Sequence, residues 1–142
     1  MVACGVVHCD IKPSNLVVHD GIVRLIDFGL SYPFDVRTGR SPLVVPCGTP
    51  RYVAPEVERA RAAERMMKVT PAVDVFSVGR VLRKAASVVE RCAPLRRLIE
   101  RMTAVAPEER PSMRAALAEW RTSVAPVLVE QQAMEVACVD CD

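Results

Sequence analysis

Five of the chain's eleven prolines, Pro33, Pro42, Pro46, Pro50 and Pro55, fall within 26 residues. Each removes a backbone donor and fixes φ, so no regular helix or strand of any length survives between residues 30 and 55. That segment divides the chain. Before it, "NLVVHDGIVRLID" places two β-branched runs around Asp20-Gly21, a pair that favours a type I′ hairpin turn. After it the periodicity is helical.

The spacing predicts a short polar helix over residues 57–68. A long helix is expected from a Thr70 cap with Pro71 at its first position to about Glu90. Its apolar face carries Val75, Val78, Leu82, Ala85 and Val89. A third helix follows Pro94 with Leu95, Leu98, Ile99 and Met102. A fourth starts near Ser112 and carries Leu117 and Trp120. One hairpin cannot stand alone, so the helices are expected to supply the core. The fold class is mainly α with a small β-hairpin (α+β). The tail "CVDCD" carries one CxxC, which cannot complete a four-ligand zinc site without a partner cluster. Residues 122–142 are expected to be a flexible tail.

Composition excludes several functions. Hydrophobic residues make up 51% of the 142, against disorder. Nineteen basic and seventeen acidic residues leave +2, with aromatics at 4%. That pattern suits neither a nucleic-acid surface nor base stacking. No apolar run reaches membrane-spanning length, and "MVACGVVHCD" lacks a basic signal-peptide start. The scattered cysteines fit free thiols in an intracellular, cytoplasmic chain.

A two-residue turn at Asp20-Gly21 pairs residues whose numbers sum to 41, so Asn15 faces Ile26 and Asp27 lies beside it. A carboxylate and an amide oxygen meeting there make a hard-oxygen pair suited to Mg²⁺. Strict strand alternation would send Asn15 and Asp27 to opposite faces, so the backbone must bend, with Gly29 the residue expected to allow it. Asp10 is placed to act as a base beside the metal. Lys12 is placed to neutralise a phosphoryl group. Taken without further context, acids around an Asp-Gly turn are more often solvated surface charges.

Five motifs in order change that weighting. "HCDIKPSN" at 8–15 resembles the protein-kinase catalytic loop, and "DFG" at 27–29 follows through the hairpin. "GTPRYVAPE" at 48–56 is similar to the end of an activation segment. "DVFSVG" at 74–79 resembles the start of the large helix of the kinase C-terminal lobe. "PEERPS" at 107–112 resembles the family's late Arg-bearing motif. Together they cover residues 6 to about 120, and Lys12 resembles the serine/threonine branch.

The resemblance implies a kinase-like C-terminal lobe over residues 1–121, with the N-terminal lobe absent. It implies phosphoryl transfer from ATP, with Mg²⁺, to serine or threonine hydroxyls of a protein substrate. Asp10 resembles the catalytic base and Lys12 the γ-phosphate contact. Asn15 and Asp27 resemble the metal and ATP ligands. Val17 falls at the floor of the adenine pocket, and Thr49 lies where the family contacts substrate and catalytic loop. His8, Phe28, Gly29, Glu56, Asp74 and Arg110 resemble structural positions, with Glu56 and Arg110 as an ion pair and Asp74 beneath the catalytic loop.

The chain also departs from the family's pattern. Only seven residues precede His8, so the Gly-rich loop, the strand Lys and its Glu partner are not among these residues. The expectation is therefore a lobe that is inactive alone. Its residues Val6, Val7, Leu16, Val17, Phe28 and Leu30 would lack their usual cover, which a partner protein would supply. Cys9 replaces the Arg that pairs with a phosphorylated activation segment, and a thiol makes no charge-assisted bond to phosphate. Asp74 and Arg110 stand 36 positions apart (110 − 74), so a substrate-docking helix is expected to be reduced. Two competing functions remain: a non-catalytic interaction module, and a small-molecule phosphotransferase sharing the His-x-Asp-x₄-Asn loop. The activation-segment and "DVFSVG" motifs weigh against the second.

Overall fold

The computed structural model describes residues 5–84 and 86–131. The described residues form six short strands: β1 (Val6–Val7), β2 (Leu16–His19), β3 (Ile22–Leu25), β4 (Tyr32–Pro33), β5 (Leu43–Val44) and β6 (Met67–Lys68). Among the described residues they are accompanied by the α-helices α1 (Pro55–Ala62), α2 (Ala72–Leu82), α3 (Ala86–Arg91), α4 (Ala93–Met102) and α5 (Met113–Glu119), with a further helical run over residues 125–131. The strands pair antiparallel as β1 with β4, β2 with β3 and β5 with β6.

The hairpin takes the register set by its turn. Leu16 pairs with Leu25, Val17 with Arg24, Val18 with Val23 and His19 with Ile22. Asp20 and Gly21 both take positive φ, 51° and 70°, as a type I′ turn requires.

Helix α2 divides two apolar clusters. Val73 and Phe76 join Val7, Cys9, Val44, Val53, Ala54, Val57 and Val69 on one side. Val75 joins Cys92, Leu95, Leu98, Ile99, Met102, Ala116 and Val124 on the other. The core is thus not helical throughout: β1 and the proline-rich segment supply much of the first cluster. Gly79 lets α2 meet the end of α4, since a Cβ there would lie 2.7 Å from Thr103 Cγ2 and 3.0 Å from Met102 Cβ.

Several expected boundaries shift. The polar helix begins at Pro55 and ends at Ala62, because Glu64 takes φ 51° and turns the chain back. Met67–Lys68 then pair with Leu43–Val44 instead of extending it. Thr70 does not cap α2 through its side chain; its carbonyl accepts from Val73 N at 3.1 Å. The long helix ends at Leu82, where a tight Lys84 N–H to Val81 C=O bond closes a turn. Its continuation is the separate α3, which brings Val88 and Cys92 onto the second cluster. Ala85, and the side chain of Val89, lie outside the described residues.

From Trp120 to residue 131 the chain stays helical. Residues 120–124 form a π-turn and the helix runs on to 131. Burial explains this: Val124 is fully buried, and Val127 and Leu128 pack on the second cluster. Residues of the expected tail beyond 131, with the CxxC at 138–141, lie outside the described residues. No helix among the described residues is long and apolar enough to cross a membrane.

The exposed apolar face differs from the expected one in its members. Val7 is fully buried, held by β4 and the first cluster. Val6 and Leu16 are half-buried, while Val17, Phe28 and Leu30 are exposed. Val18, Ile22 and Val23 on the hairpin are exposed as well.

Candidate active site

The loop between β1 and the hairpin is fixed from below. The buried carboxylate of Asp74, on α2, accepts the backbone N–H of His8 at 2.8 Å and of Cys9 at 2.9 Å. Burial pushes the Asp74 carboxyl up, against the pull of those two donors. They are available because Cys9 takes φ 65°, a left-handed conformation costly for a side-chain-bearing residue and common at functional turns.

His8 is fully buried between this loop and the 27–29 turn. Its Nδ1 accepts from Asp10 N at 3.3 Å, so its Nε2 carries the proton donated to Ile26 O at 3.2 Å. Its ring meets Phe28 edge-on at 4.9 Å.

Asp10 is the centre of the polar cluster. Its Oδ1 accepts from Thr49 Oγ1 at 2.7 Å and from Thr49 N at 2.9 Å. Its Oδ2 accepts from Lys12 Nζ at 2.8 Å and from Asn15 Nδ2 at 3.3 Å. Asn15 Nδ2 also donates to the Asp10 carbonyl at 3.0 Å. Lys12 Nζ bridges onward to Thr49 Oγ1 at 2.9 Å. Burial alone would raise the Asp10 carboxyl, but the donors Lys12 and Thr49 outweigh it and hold the group below the ordinary carboxylate range. The result is a carboxyl whose anionic form is favoured, with its acceptor sites filled by groups that can exchange.

Gly48 permits the approach of Thr49. It takes φ 117°, and a Cβ there would lie 2.7 Å from the Cys9 carbonyl. Arg61 Nη2 donates to the Gly48 carbonyl at 3.0 Å. Sequence reasoning missed Gly48; the signal was its place immediately before the Thr that reaches Asp10.

Asn15 is buried at the start of β2, and its carbonyl accepts from Ile26 N at 2.9 Å. That bond brings Asp27 to the same end of the hairpin. The bend falls at Asp27 itself, with φ 64°, and not at Gly29 as expected. A positive φ at Asp is tolerable because its short side chain bonds locally: Oδ1 accepts from Gly29 N at 3.3 Å. Among the described residues the Asn15 side-chain oxygen has no donor, and it is not sealed off from solvent. Asn15 and Asp27 thus offer hard oxygens of the kind magnesium takes, and magnesium needs only one or two protein ligands beside phosphate and water. Val17 is exposed on β2 just beyond Asn15.

The supports are built to match. Arg110 Nη1 and Nη2 grip Glu56 Oε1 and Oε2, both at 2.7 Å. The guanidinium also donates to the carbonyls of Ala104, Ala72 and Val105. All five of its donors are used, and its carbon lies 5.0 Å from the Phe76 ring centre. Cys9 sits in the first cluster, where burial pushes its thiol well up, assisted by Asp74 and Cys47. A protonated thiol there is a packing group.

Comparison with known proteins agrees with this picture. The protein kinase domain family profile matches residues 1–93. The chain is 42% identical over 87 residues to a probable serine/threonine-protein kinase, PkwA, of Thermomonospora curvata, covering 60% of this chain and 10% of that protein. It is 39% identical over 83 residues to mouse dual specificity protein kinase TTK, covering 55% and 10%. It is 41% identical over 78 residues to the SNF1-like protein kinase ssp2 of Schizosaccharomyces pombe, covering 54% and 12%. The chain spans about a tenth of the length of these relatives. With most of its length matched by the family profile, the chain belongs to the eukaryotic-type serine/threonine protein kinase family.

Proposed function

We propose that these residues form the lower, C-terminal part of a kinase domain, over residues 1–121, that transfers the γ-phosphoryl group of ATP to a protein serine or threonine hydroxyl inside the cell. The observation that carries this reading is the convergence of Lys12, Asn15 and Thr49 on the one buried carboxyl of Asp10.

The bonding suggests how the residues work. Asp10 has no spare acceptor for a substrate hydroxyl while Lys12 and Thr49 hold it. When Lys12 Nζ turns from Asp10 Oδ2 to the transferring phosphoryl group, that oxygen is freed to accept the hydroxyl proton's hydrogen bond. Lys12 then offsets charge on the phosphoryl oxygens. Thr49 keeps its grip on Oδ1 and so holds the carboxylate plane. Asn15 and Asp27 would hold magnesium, whose charge, when bound, neutralises the ATP phosphates. Val17 would lie against the adenine. The elements that cover ATP in the family are not among these residues, so catalysis by residues 1–142 alone is not expected.

The exposed apolar hairpin favours a second reading, a lobe that docks another protein through Val18, Val23 and Phe28 without turnover.

Manganese, a paramagnetic stand-in for magnesium, tests the site by NMR. With millimolar ATP, amide broadening confined to residues around Asn15 and Asp27, and lost in Asp27→Ala, supports the proposal. Diffuse broadening, or none, argues for the docking module.

A further inference from the structure

Starting two positions past Thr49, at Arg51, the surface carries a depression of about 140 Å³ lined by Arg51, Tyr52, Arg80, Arg83 and Lys84. Four cations face it and no carboxylate lines it. None of the four forms an ion pair among the described residues. Cations near a helix C-terminus complement its dipole, which accounts for Arg80, Arg83 and Lys84 at the end of α2. It does not account for Arg51, which comes from a different segment and adds a fourth like charge.

The cations are positioned without being neutralised. Arg51 takes φ 78°, a strained conformation for a residue with a side chain. Arg80 Nε pins it by donating to the Arg51 carbonyl at 2.8 Å. Arg83 Nη2 donates to Thr103 Oγ1 at 3.1 Å. Lys84 Nζ lies 5.5 Å from the centre of the Tyr52 ring, and the Tyr52 carbonyl accepts from Ser77 Oγ at 2.8 Å. Each tie goes to a neutral group, so the positive charge stays available. Pre-placed like charges gain most from an anion that arrives with its own hydrogen-bond acceptors.

Location names the ligand. Arg51 is two residues from Thr49, within about 7.6 Å of Cα separation, and Thr49 touches Asp10 at 2.7 Å. We propose that this depression is a specificity subsite for an acidic side chain, Asp, Glu or a phosphorylated residue, lying a few positions from the acceptor hydroxyl of a protein substrate. The subsite rests on the reading of Asp10 as the place where the acceptor binds.

Fluorescence anisotropy with labelled peptides tests it on the whole chain. The peptides share a central serine and differ only in flanking residues: acidic, phosphorylated, neutral or basic. The acidic and phosphorylated peptides are expected to bind at least tenfold tighter than the neutral one at low salt. Arg83→Glu with Lys84→Glu, both exposed and both on the rim, should erase that preference while circular dichroism stays unchanged. Arg51→Ala should reduce it. Equal binding of acidic and neutral peptides overturns the subsite, as does a preference that survives the charge reversals. Tighter binding of duplex DNA or phosphatidylserine vesicles than of the acidic peptide, abolished by the same reversals, also overturns it. The assay needs no phosphoryl transfer. A persistent acidic preference beside transfer that ignores Asp10→Asn would sink the role proposed for Asp10 and leave only an acidic-peptide site not tied to the acceptor. Transfer that requires Asp10 without any acidic preference would sink the subsite alone.

Discussion

Replacing Glu56 by Gln should cost the protein about 3–5 kcal/mol, the scale for a buried charge left without its partner. The Arg110 side chain is fully buried while that of Glu56 is 16% exposed, so water reaches the edge of the pair but not the guanidinium that would lose its carboxylate. Gln offers one acceptor, and its amide nitrogen would face an Nη donor that now contacts Glu56 Oε at 2.7 Å. The three carbonyl bonds of Arg110 remain, but they do not neutralise its charge. Against a domain stability of roughly 5–15 kcal/mol, the loss is about a fifth of the total or more. Urea unfolding followed by circular dichroism measures it as a lower midpoint with unchanged slope. Arg110→Lys should lose a similar amount, since Ala104, Ala72 and Val105 lose donors. The double change Glu56→Leu with Arg110→Met should lose less than the two single changes added together. A Glu56→Gln protein within about 1 kcal/mol of the parent would refute this, because it would mean the pair behaves as an exposed one.

Three other outcomes follow from the site. Gly48→Ala should destabilise the chain by roughly 1–3 kcal/mol, since its Cβ would strike the Cys9 carbonyl; a melting curve identical to the parent's would contradict the close approach. The Asp10 carboxyl is held low in the folded state, so its stabilising contribution is complete above the ordinary range near pH ~4 and fades as pH falls through the lowered value. Urea midpoints of the parent and Asp10→Asn should therefore converge on acidification, and a constant gap would show that Asp10 is not ionised through its partners. Calorimetry on residues 1–142 should find Mg·ATP affinity no tighter than millimolar, because phosphates held at Asn15 and Asp27 remain open to solvent screening; micromolar affinity would show that these residues suffice.

Local rules gave the hairpin outright. Asp20-Gly21 demands two positive φ angles, and the register follows from the turn alone. The same holds for the helix after Ser112, whose hydroxyl accepts from Ala115 N. What the sequence hid was long-range. Nothing local shows that Asp27 rather than Gly29 takes the positive φ; that depends on His8 holding the Ile26 carbonyl. The end of α2 at Leu82 and the helix beyond Trp120 are decided by packing on the second cluster, where Val88 and Val124 find partners far away in sequence. The place of Thr49 in the Asp10 cluster was legible only through resemblance, since Thr49 stands 39 positions away. The basic depression was not legible, because Arg51 meets Arg80 only through tertiary structure.

Transfer of labelled γ-phosphate from Mg·ATP to a serine- or threonine-containing peptide, by this chain in its native full-length context, tests the central claim most directly. Asp10→Asn keeps an acceptor oxygen and a similar shape but cannot hold Lys12 as an ion partner or orient a hydroxyl as a carboxylate does. Transfer by the parent that falls at least ~100-fold in Asp10→Asn, with nucleotide affinity and melting temperature little changed, is the predicted result. Transfer at the parent's rate by Asp10→Asn, or none by either protein, would contradict it.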